Sequence, residues 1–331
     1  MEILVTGGGG FLGRYIVEAL VKEGHSVSIL GRSEQPELAS RGIRLYQGDL
    51  QDSVFVEEAC KNKEAIFHVA AKAGVWGSRQ SYIDANVLGT RNILKASKQA
   101  GVRYLIYTST PSVVFNRQSF RGDNESLPYG KDWLCHYAET KAIAEKESLE
   151  ADSSTISVCA LRPHLIFGPR DHHLLPRVIK AVLSGRLKIV GKGKNLVDVT
   201  YVKDAALAHV KALAALQSGR ACGKAYFISQ GSPVMLWEWL NRILSELNIP
   251  EINQKLALPL AYGIGGVLEF IYKILNLKGE PPMTRFVAVE LAKDHYFDLS
   301  NARRDLDFNP QYSMDQAIKE TVEDLGQFSN N

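Results

Sequence analysis

Apolar and polar positions along this chain switch repeatedly between two periods. Ile3-Leu4-Val5 is a short apolar run, followed by a helical pattern over about residues 10–22 and a second apolar run over 26–30. Runs at 43–46, 65–69, 104–108 and 157–161 continue the series, and helical patterns at 54–60, 87–99 and 137–149 fall between them. Strands that alternate with helices in this way predict a parallel sheet covered on both faces. Right-handed crossovers then make it a doubly wound α/β (Rossmann-type) fold.

Beyond Pro163 the pattern loosens into an apolar helix near 174–183, extended pieces at 187–190 and 197–202, and an alanine-rich helix over 204–216. We therefore expect a dinucleotide-binding domain over 1–168, rejoined by 198–228, and a smaller lobe over 169–197 and 229–331. No Pro/Ser/Gly-rich linker, internal repeat or low-complexity tract separates them. Residues 256–277 are unusually apolar, with only Glu269 and Lys273 charged, and contain Pro259 and the break-like Gly263-Ile264-Gly265-Gly266. The uncharged part, 256–268, is too short to cross a bilayer. Two readings stay open: a buried or lid-forming helix, and a helix lying on a membrane surface.

Composition narrows the function classes. Lys and Arg total 39 against 36 Asp and Glu, a formal charge of +3 with no long basic run. That argues against nucleic acid as a partner. Cys60, Cys135, Cys159 and Cys222 form no C-x-x-C pair, as expected of a reduced, cytoplasmic protein. The first strand begins so near Met1 that no secretory segment is expected.

The chemistry begins at Thr6-Gly7-Gly8-Gly9-Gly10-Phe11-Leu12-Gly13, which follows a strand and opens a helix. Gly7 permits the tight turn, Gly10 lets backbone N–H groups approach a pyrophosphate, and Gly13 allows close helix packing. Phe11 and Leu12 complete this cradle. The second strand ends in Leu30-Gly31-Arg32-Ser33, where an NAD site usually offers a carboxylate; Arg32 and Ser33 suit a 2′-phosphate, so NADP(H) is the expected cofactor. Arg14 either adds charge there or is a solvated helix residue. Asp49, beside Leu50, either accepts from the adenine amino group or caps a helix. Ala70 and Ala71 allow the backbone to approach the cofactor ribose.

Tyr137 and Lys141 are one helical turn apart on one face. Such a lysine is expected to lower the tyrosine pKa, making it a proton donor for a carbonyl. A hydroxyl to fix the carbonyl oxygen is available in Thr108-Ser109-Thr110-Pro111-Ser112, at the carboxyl edge of the sheet.

In this order, the motifs resemble the extended short-chain dehydrogenase/reductase superfamily, whose catalytic Ser/Thr, Tyr and Lys match Thr110, Tyr137 and Lys141. Asn86 matches a family position near the active site and is equally readable as a helix-to-helix hydrogen bond. The segment Arg162-Pro163-His164-Leu165-Ile166-Phe167-Gly168-Pro169 resembles the family segment beside the nicotinamide, which implies Pro163 and Ile166 as cofactor lining. The resemblance covers nearly the whole chain and is closest to the 3β-hydroxysteroid dehydrogenase-like branch. Within it, residues 71–78, 107–113, 197–201 and 279–286 resemble the 2-alkyl-3-oxoalkanoate reductases of bacterial long-chain olefin biosynthesis.

That resemblance implies NADPH-dependent, reversible reduction of a long-chain 2-alkyl-3-oxoalkanoic acid. It also implies β-lactone synthetase and β-lactone decarboxylase as pathway partners, and a homodimer formed through the 87–99 and 137–149 helices. Lys72, Arg79, His136, His164, Arg170 and the pair His172-His173 are candidates to face the acid; Trp76, Trp133 and the 256–277 segment are candidates to face the chains. The His-His pair lacks companion ligands at metal spacing, so no metal is expected. A sterol or steroid 3β-hydroxy dehydrogenase is the alternative enzyme, and a non-catalytic NADP(H)-binding regulator the alternative of another class. A nucleotide-sugar epimerase fits less well, because the second lobe is so apolar.

Overall fold

Ile3, Leu4 and Val5 are all fully buried, Ile3 and Val5 in one core cluster and Leu4 in another. A strand covered on both faces has no polar side, and its sequence is a continuous apolar run. This strand is central in a computed structural model that describes residues 1–329; residues 330–331 of the expected smaller lobe lie outside the described residues. Among the described residues, seven parallel strands form the main sheet. Their spatial order is Lys224–Ile228, Ser157–Pro163, Tyr104–Thr108, Ala65–His68, Glu2–Thr6, Ser26–Gly31, Arg44–Gln47. Chain order reverses between Glu2–Thr6 and Ala65–His68, so the loops leaving their carboxyl ends diverge and open a crevice. Helices Phe11–Lys22 and Val202–Gln217 pack together over one face, and Ser53–Cys60 and Gly89–Ala100 over the other.

The expected strands and helices of the first half appear within a few residues of their expected bounds, and three differences bear on the site. The helix expected at 87–99 is preceded by a π-helical stretch, Ile83–Leu88, which carries Asn86; such wide turns recur at functional sites. The extended piece expected at 197–202 is split into Leu196–Val197 and Thr200–Tyr201, with the next helix starting at Val202. Strand Lys224–Ile228, too short to stand out in the sequence, extends the sheet beside Ser157–Pro163. A second, four-stranded sheet ties distant parts of the chain together, because Phe120–Asp123 pairs with His295–Phe297.

The 256–277 segment corrects two expectations. Helix Leu258–Ile274 runs unbroken through the glycines, and Pro259 sits in its first turn, where its missing N–H costs nothing. A Cβ on Gly265 would lie 2.6 Å from the Thr284 backbone, so this glycine permits close packing of the following segment and does not interrupt the helix. Nor is the helix buried on its apolar side. Ala261, Gly265 and Glu269 face inward, while Leu260, Val267, Phe270 and Ile274 are each more than half exposed. Small residues spaced by four make the packing seam, which leaves the large side chains outside.

Under the sheet, Arg162 and Glu145 form a buried ion pair, with Nε to Oε2 at 3.0 Å, and Tyr129 donates to the same carboxylate at 2.8 Å. Removing one partner of such a pair leaves the other charge uncompensated. Glu145→Ala should therefore lower the unfolding free energy by about 3–5 kcal/mol, read by urea denaturation. A loss below about 1 kcal/mol, the worth of an exposed pair, would show the pair to be solvated.

Candidate active site

The cradle forms because two glycines let the chain turn back on itself. Gly7 has φ +69, and a Cβ there would come within 2.9 Å of Ala70. Gly13 lies against the same turn: a Cβ on it would sit 2.1 Å from the Gly7 carbonyl oxygen. Helix Phe11–Lys22 then begins at Gly10 without a side-chain cap. The first N–H groups of a helix, here those of Phe11, Leu12 and Gly13, have no intrahelical acceptor and suit a phosphate. The Leu12 side chain is in the core and the Phe11 ring packs on Tyr15, so these two residues offer backbone only.

A cavity of about 600 Å³ opens from this turn along the carboxyl edge of the sheet. Gly7, Gly10, Arg32, Ser33, Asp49 and Leu50 line one part of it, and Ala70, Ala71 and Lys72 another. A glycine turn that any Cβ would fill, with a cavity of ligand size in front of it, fits a dinucleotide. Arg32 is exposed, and its guanidinium has no ion-pair partner among the described residues. Arg14 is engaged elsewhere, with Glu37 and Glu18. Asp49 does not cap the following helix; Asp52 does, accepting from Val54 and Phe55, while Asp49 accepts from the N–H of Gln51.

Thr110, Tyr137 and Lys141 come together beyond this cavity. Thr110 caps the turn Pro111–Val114, its hydroxyl accepting from the Ser112 N–H and donating to Ser112 Oγ at 3.3 Å. Burial pushes the Tyr137 phenol up to about 12, against the opposing effect of Thr110. Lys141 is buried, donates to the Thr108 carbonyl at 2.6 Å, and lies 4.0 Å from the centre of the Tyr107 ring. Burial lowers its ammonium to about 7, against the opposing pull of Glu145. The expected lysine-driven lowering of the tyrosine pKa is thus not what this structure shows, because desolvation dominates both groups.

Asn86 acts as a clamp. Its Oδ1 accepts from the Lys72 N–H at 2.7 Å, and its Nδ2 donates to the Lys72 carbonyl at 3.2 Å and to Thr140 Oγ1 at 3.1 Å. The cavity wall is thereby fastened to the helix that carries Tyr137. Pro163 ends the buried strand Ser157–Pro163, and Ile166 begins the short strand paired with Thr200–Tyr201; neither lines the large cavity.

The candidate acid-facing residues divide. Lys72 stays at the cavity, with its Nζ 2.6 Å from Ser81 Oγ. Arg79 is paired with Glu139, which also holds His136, and Arg170 with Glu18. His172 packs on Phe11 and His173 beside it. Trp76 stands edge-on to Tyr272 of the exposed helix, and Trp133 lies against Gly130. His164 is buried behind the Thr110 loop, with its Nε2 2.6 Å from His295 Nδ1 and Glu290 nearby. Sequence reading passed over His295 and Glu290, which are more than 120 residues from His164 and belong to no motif. The 2.6 Å contact is a hydrogen-bond distance. It is shorter than the roughly 3.3 Å between two nitrogens that each bind one zinc at about 2.0–2.1 Å with tetrahedral angles.

The model of the 3-beta hydroxysteroid dehydrogenase/isomerase family matches residues 4–260. A 2-alkyl-3-oxoalkanoate reductase of Stenotrophomonas maltophilia is 44% identical over 96% of this chain and 98% of its own length. A mouse sterol-4-alpha-carboxylate 3-dehydrogenase (decarboxylating) is 30% identical over 96% of this chain and 89% of its own. Among solved structures, MoeE5 in complex with UDP-glucose and NAD superposes with a TM-score of 0.76 at 26% identity, covering 100% of each chain. A match of this extent agrees with a glycine cradle, a dinucleotide-sized cavity and a Thr/Tyr/Lys set on one edge of a doubly wound sheet, and the chain belongs to the 3-beta hydroxysteroid dehydrogenase/isomerase family of oxidoreductases.

Proposed function

We propose that this chain reduces the 3-oxo group of 2-alkyl-3-oxoalkanoic acids to the 3-hydroxy acids, reversibly, with NADPH. The observation that carries the reading is the 44% identity to a reductase of that name over nearly the full length of both chains. The sterol-4-carboxylate dehydrogenase relatives support the same substrate unit, because a 4-carboxylate beside C3 is again a carboxyl on the carbon next to the reacting centre. A sterol is therefore the second reading. Turnover of a panel of 2-alkyl-3-oxo acids, 3β-hydroxysterols and nucleotide sugars separates the classes.

When bound, the nicotinamide supplies or accepts the hydride. Tyr137 gives its proton to the carbonyl oxygen, Thr110 hydrogen-bonds the same oxygen, and Lys141 is held beside them by the Thr108 carbonyl. Gly7, Gly10 and the N–H groups of Phe11, Leu12 and Gly13 hold the pyrophosphate. Arg32 and Ser33 take the 2′-phosphate, and Asp49 and Leu50 the adenine. Ala70 and Ala71 flank the ribose, and Pro163 and Ile166 the nicotinamide. Lys72, Trp76 and Trp133 lie on the substrate side.

This reading extends to the surroundings of the enzyme. The product is consumed by a β-lactone synthetase and then a β-lactone decarboxylase. Two copies associate through helices Gly89–Ala100 and His136–Glu150, which lie side by side and are cross-linked by Arg91 and Glu147. No helix among the described residues is long and apolar enough to cross a membrane. The outward stripe of Leu260, Ile264, Val267, Ile271 and Ile274, followed by Lys278, suits contact with a lipid surface and passage of long chains.

NADPH should bind more tightly than NADH, and Arg32→Ala should remove most of the difference, about 1.5–3 kcal/mol or tenfold and more. Equal affinity of the unmutated protein for both cofactors, by fluorescence titration, would sink the 2′-phosphate assignment. Tyr137→Phe should lower kcat by at least about 10²-fold while NADPH affinity changes little; near-normal turnover would mean that another group supplies the proton. Phe270→Asp should raise KM for long-chain acids far more than for short ones, since each buried methylene is worth about 0.8 kcal/mol. A chain-length profile parallel to that of the unmutated enzyme would remove this helix from the substrate path.

A further inference from the structure

Strands Glu2–Thr6 and Ala65–His68 are neighbours in the sheet, with Thr6 aligned on His68. Beyond their carboxyl ends lie the Gly7 turn and the loop through Ala70, Ala71 and Lys72, and both line the large cavity. The His68 imidazole is buried and uses both nitrogens. Its Nδ1 is 2.7 Å from Thr6 Oγ1, and its Nε2 is 3.0 Å from Oγ1 of Thr90, in helix Gly89–Ala100. The neighbouring bonds fix every proton. A backbone carbonyl only accepts, so the Thr90 hydroxyl donates to that of Asn86, at 2.6 Å. Thr90 Oγ1 therefore accepts from His68 Nε2–H, Nδ1 is left as a lone pair, and the Thr6 hydroxyl donates to it. Thr6 Oγ1 in turn accepts from the Ala70 N–H at 3.1 Å.

A chain of hydrogen bonds thus runs one way, from Ala70 through Thr6, His68 and Thr90 to the backbone of Asn86. The Asn86 side chain carries it on, to the N–H and C=O of Lys72 and to Thr140 in helix His136–Glu150. Thr140 donates to the His136 carbonyl at 2.7 Å. Both ends of the loop 70–72 are thereby tied to the helix that carries Tyr137 and Lys141. The face of the imidazole adds a second link. Its centre is 5.7 Å from that of the Tyr107 ring, and the same ring carries the Lys141 ammonium at 4.0 Å. Burial, with the Lys141 charge acting in the same direction, brings the imidazole down to about 3, so it stays neutral and keeps this tautomer. Burying an imidazole is costly, and the rest of the strand, Ala65, Ile66 and Phe67, is apolar. The two bonds of His68 lead to two different walls of the site.

We propose that His68 is a positioning residue, which transmits the placement of the cofactor loop 70–72 to the helix of Tyr137 and Lys141 and so holds cofactor and carbonyl at one separation. The inference rests on the reading of Tyr137 as the proton donor; no proton moves along the chain. Each hydroxyl in it both donates and accepts, so no member rotates without breaking two bonds. Such rigidity matters at a reacting centre, where a misplacement of about 1 Å can cost about 10²-fold in rate. The phosphates are held elsewhere, by the glycine turn and Arg32. Cutting the chain should therefore slow the bound complex and leave cofactor affinity nearly intact.

Thr6→Val and Thr90→Val keep the side-chain shape and cut the chain on opposite sides of the imidazole. In the full-length enzyme, with active sites counted by NADPH titration, each should lower kcat about tenfold with NADPH affinity within about threefold. Thr90→Ser, which restores the hydroxyl, should return kcat to within about twofold of the unmutated value. The double valine variant should lose about as much as either single one, because a chain cut once is already cut, whereas two local packing effects would multiply to about a hundredfold. If the double variant does not fold, His68→Asn, which reaches the place of Nδ1 and not that of Nε2, replaces Thr6→Val in the cycle, and Thr90→Val should cost nothing further in its background. An unchanged kcat in either valine variant, losses that multiply, no rescue by serine, or a fall in NADPH affinity as large as that in kcat would overturn the proposal. Near-normal turnover in Tyr137→Phe would instead defeat the assignment of the donor, while the cycle, run on whichever substrate the unmutated enzyme turns over, would still decide the role of His68.

Discussion

One helix of this protein turns its polar side inward. Tyr137, Lys141 and Glu145 are spaced by four residues along His136–Glu150, and all three face the sheet instead of water. Burying an ammonium and a carboxylate is costly unless each finds a partner. The arrangement of the sheet edge follows from that requirement. Lys141 is met by the Thr108 carbonyl and the Tyr107 ring, and Glu145 by Arg162 and Tyr129. Strands Tyr104–Thr108 and Ser157–Pro163, which supply these partners, are neighbours in the sheet, so the polar column also fixes how the helix sits on them.

Once that helix is fixed, the reacting groups have little freedom. Thr110 leaves the end of the Tyr104–Thr108 strand and caps its own turn, which fixes its hydroxyl on the Ser112 N–H and packs the turn on the helix that carries Tyr137. Asn86 ties the far wall of the cofactor cavity to the same helix through Thr140. The π-helical stretch gives Asn86 its inward position, a local irregularity whose hydrogen bonds are recovered in the clamp. Desolvation is the common price of this geometry, and it keeps the phenol protonated and the ammonium easily discharged.

Helix Leu258–Ile274 follows a different logic. Ala261, Gly265 and Glu269 face inward, with Gly265 against Thr284, and its large apolar side chains remain outside. Behind the active site, Glu290 and His295 from the last part of the chain meet His164, which follows strand Ser157–Pro163. Strand Phe120–Asp123, paired with His295–Phe297, holds the two parts in register at that point.

The sheet, the glycine cradle and the Tyr137/Lys141 pair were legible in the sequence because each is written in short-range spacing: apolar runs, glycines three apart, and two residues one turn apart. The same spacing made Arg32 and Thr110 readable from their places after particular strands. Contacts between distant segments leave no such period. His164 with His295, Glu145 with Arg162, and the carboxylate partners of Arg14, Arg79 and Arg170 were decided only when the chain folded. Which side of the 256–277 helix faces inward was also a tertiary matter, since periodicity identifies a face and not the neighbour that covers it. Electrostatics followed the same division: sequence put a lysine beside a tyrosine, but the depth at which the fold buries both determined that desolvation, and not their mutual charge, sets their protonation.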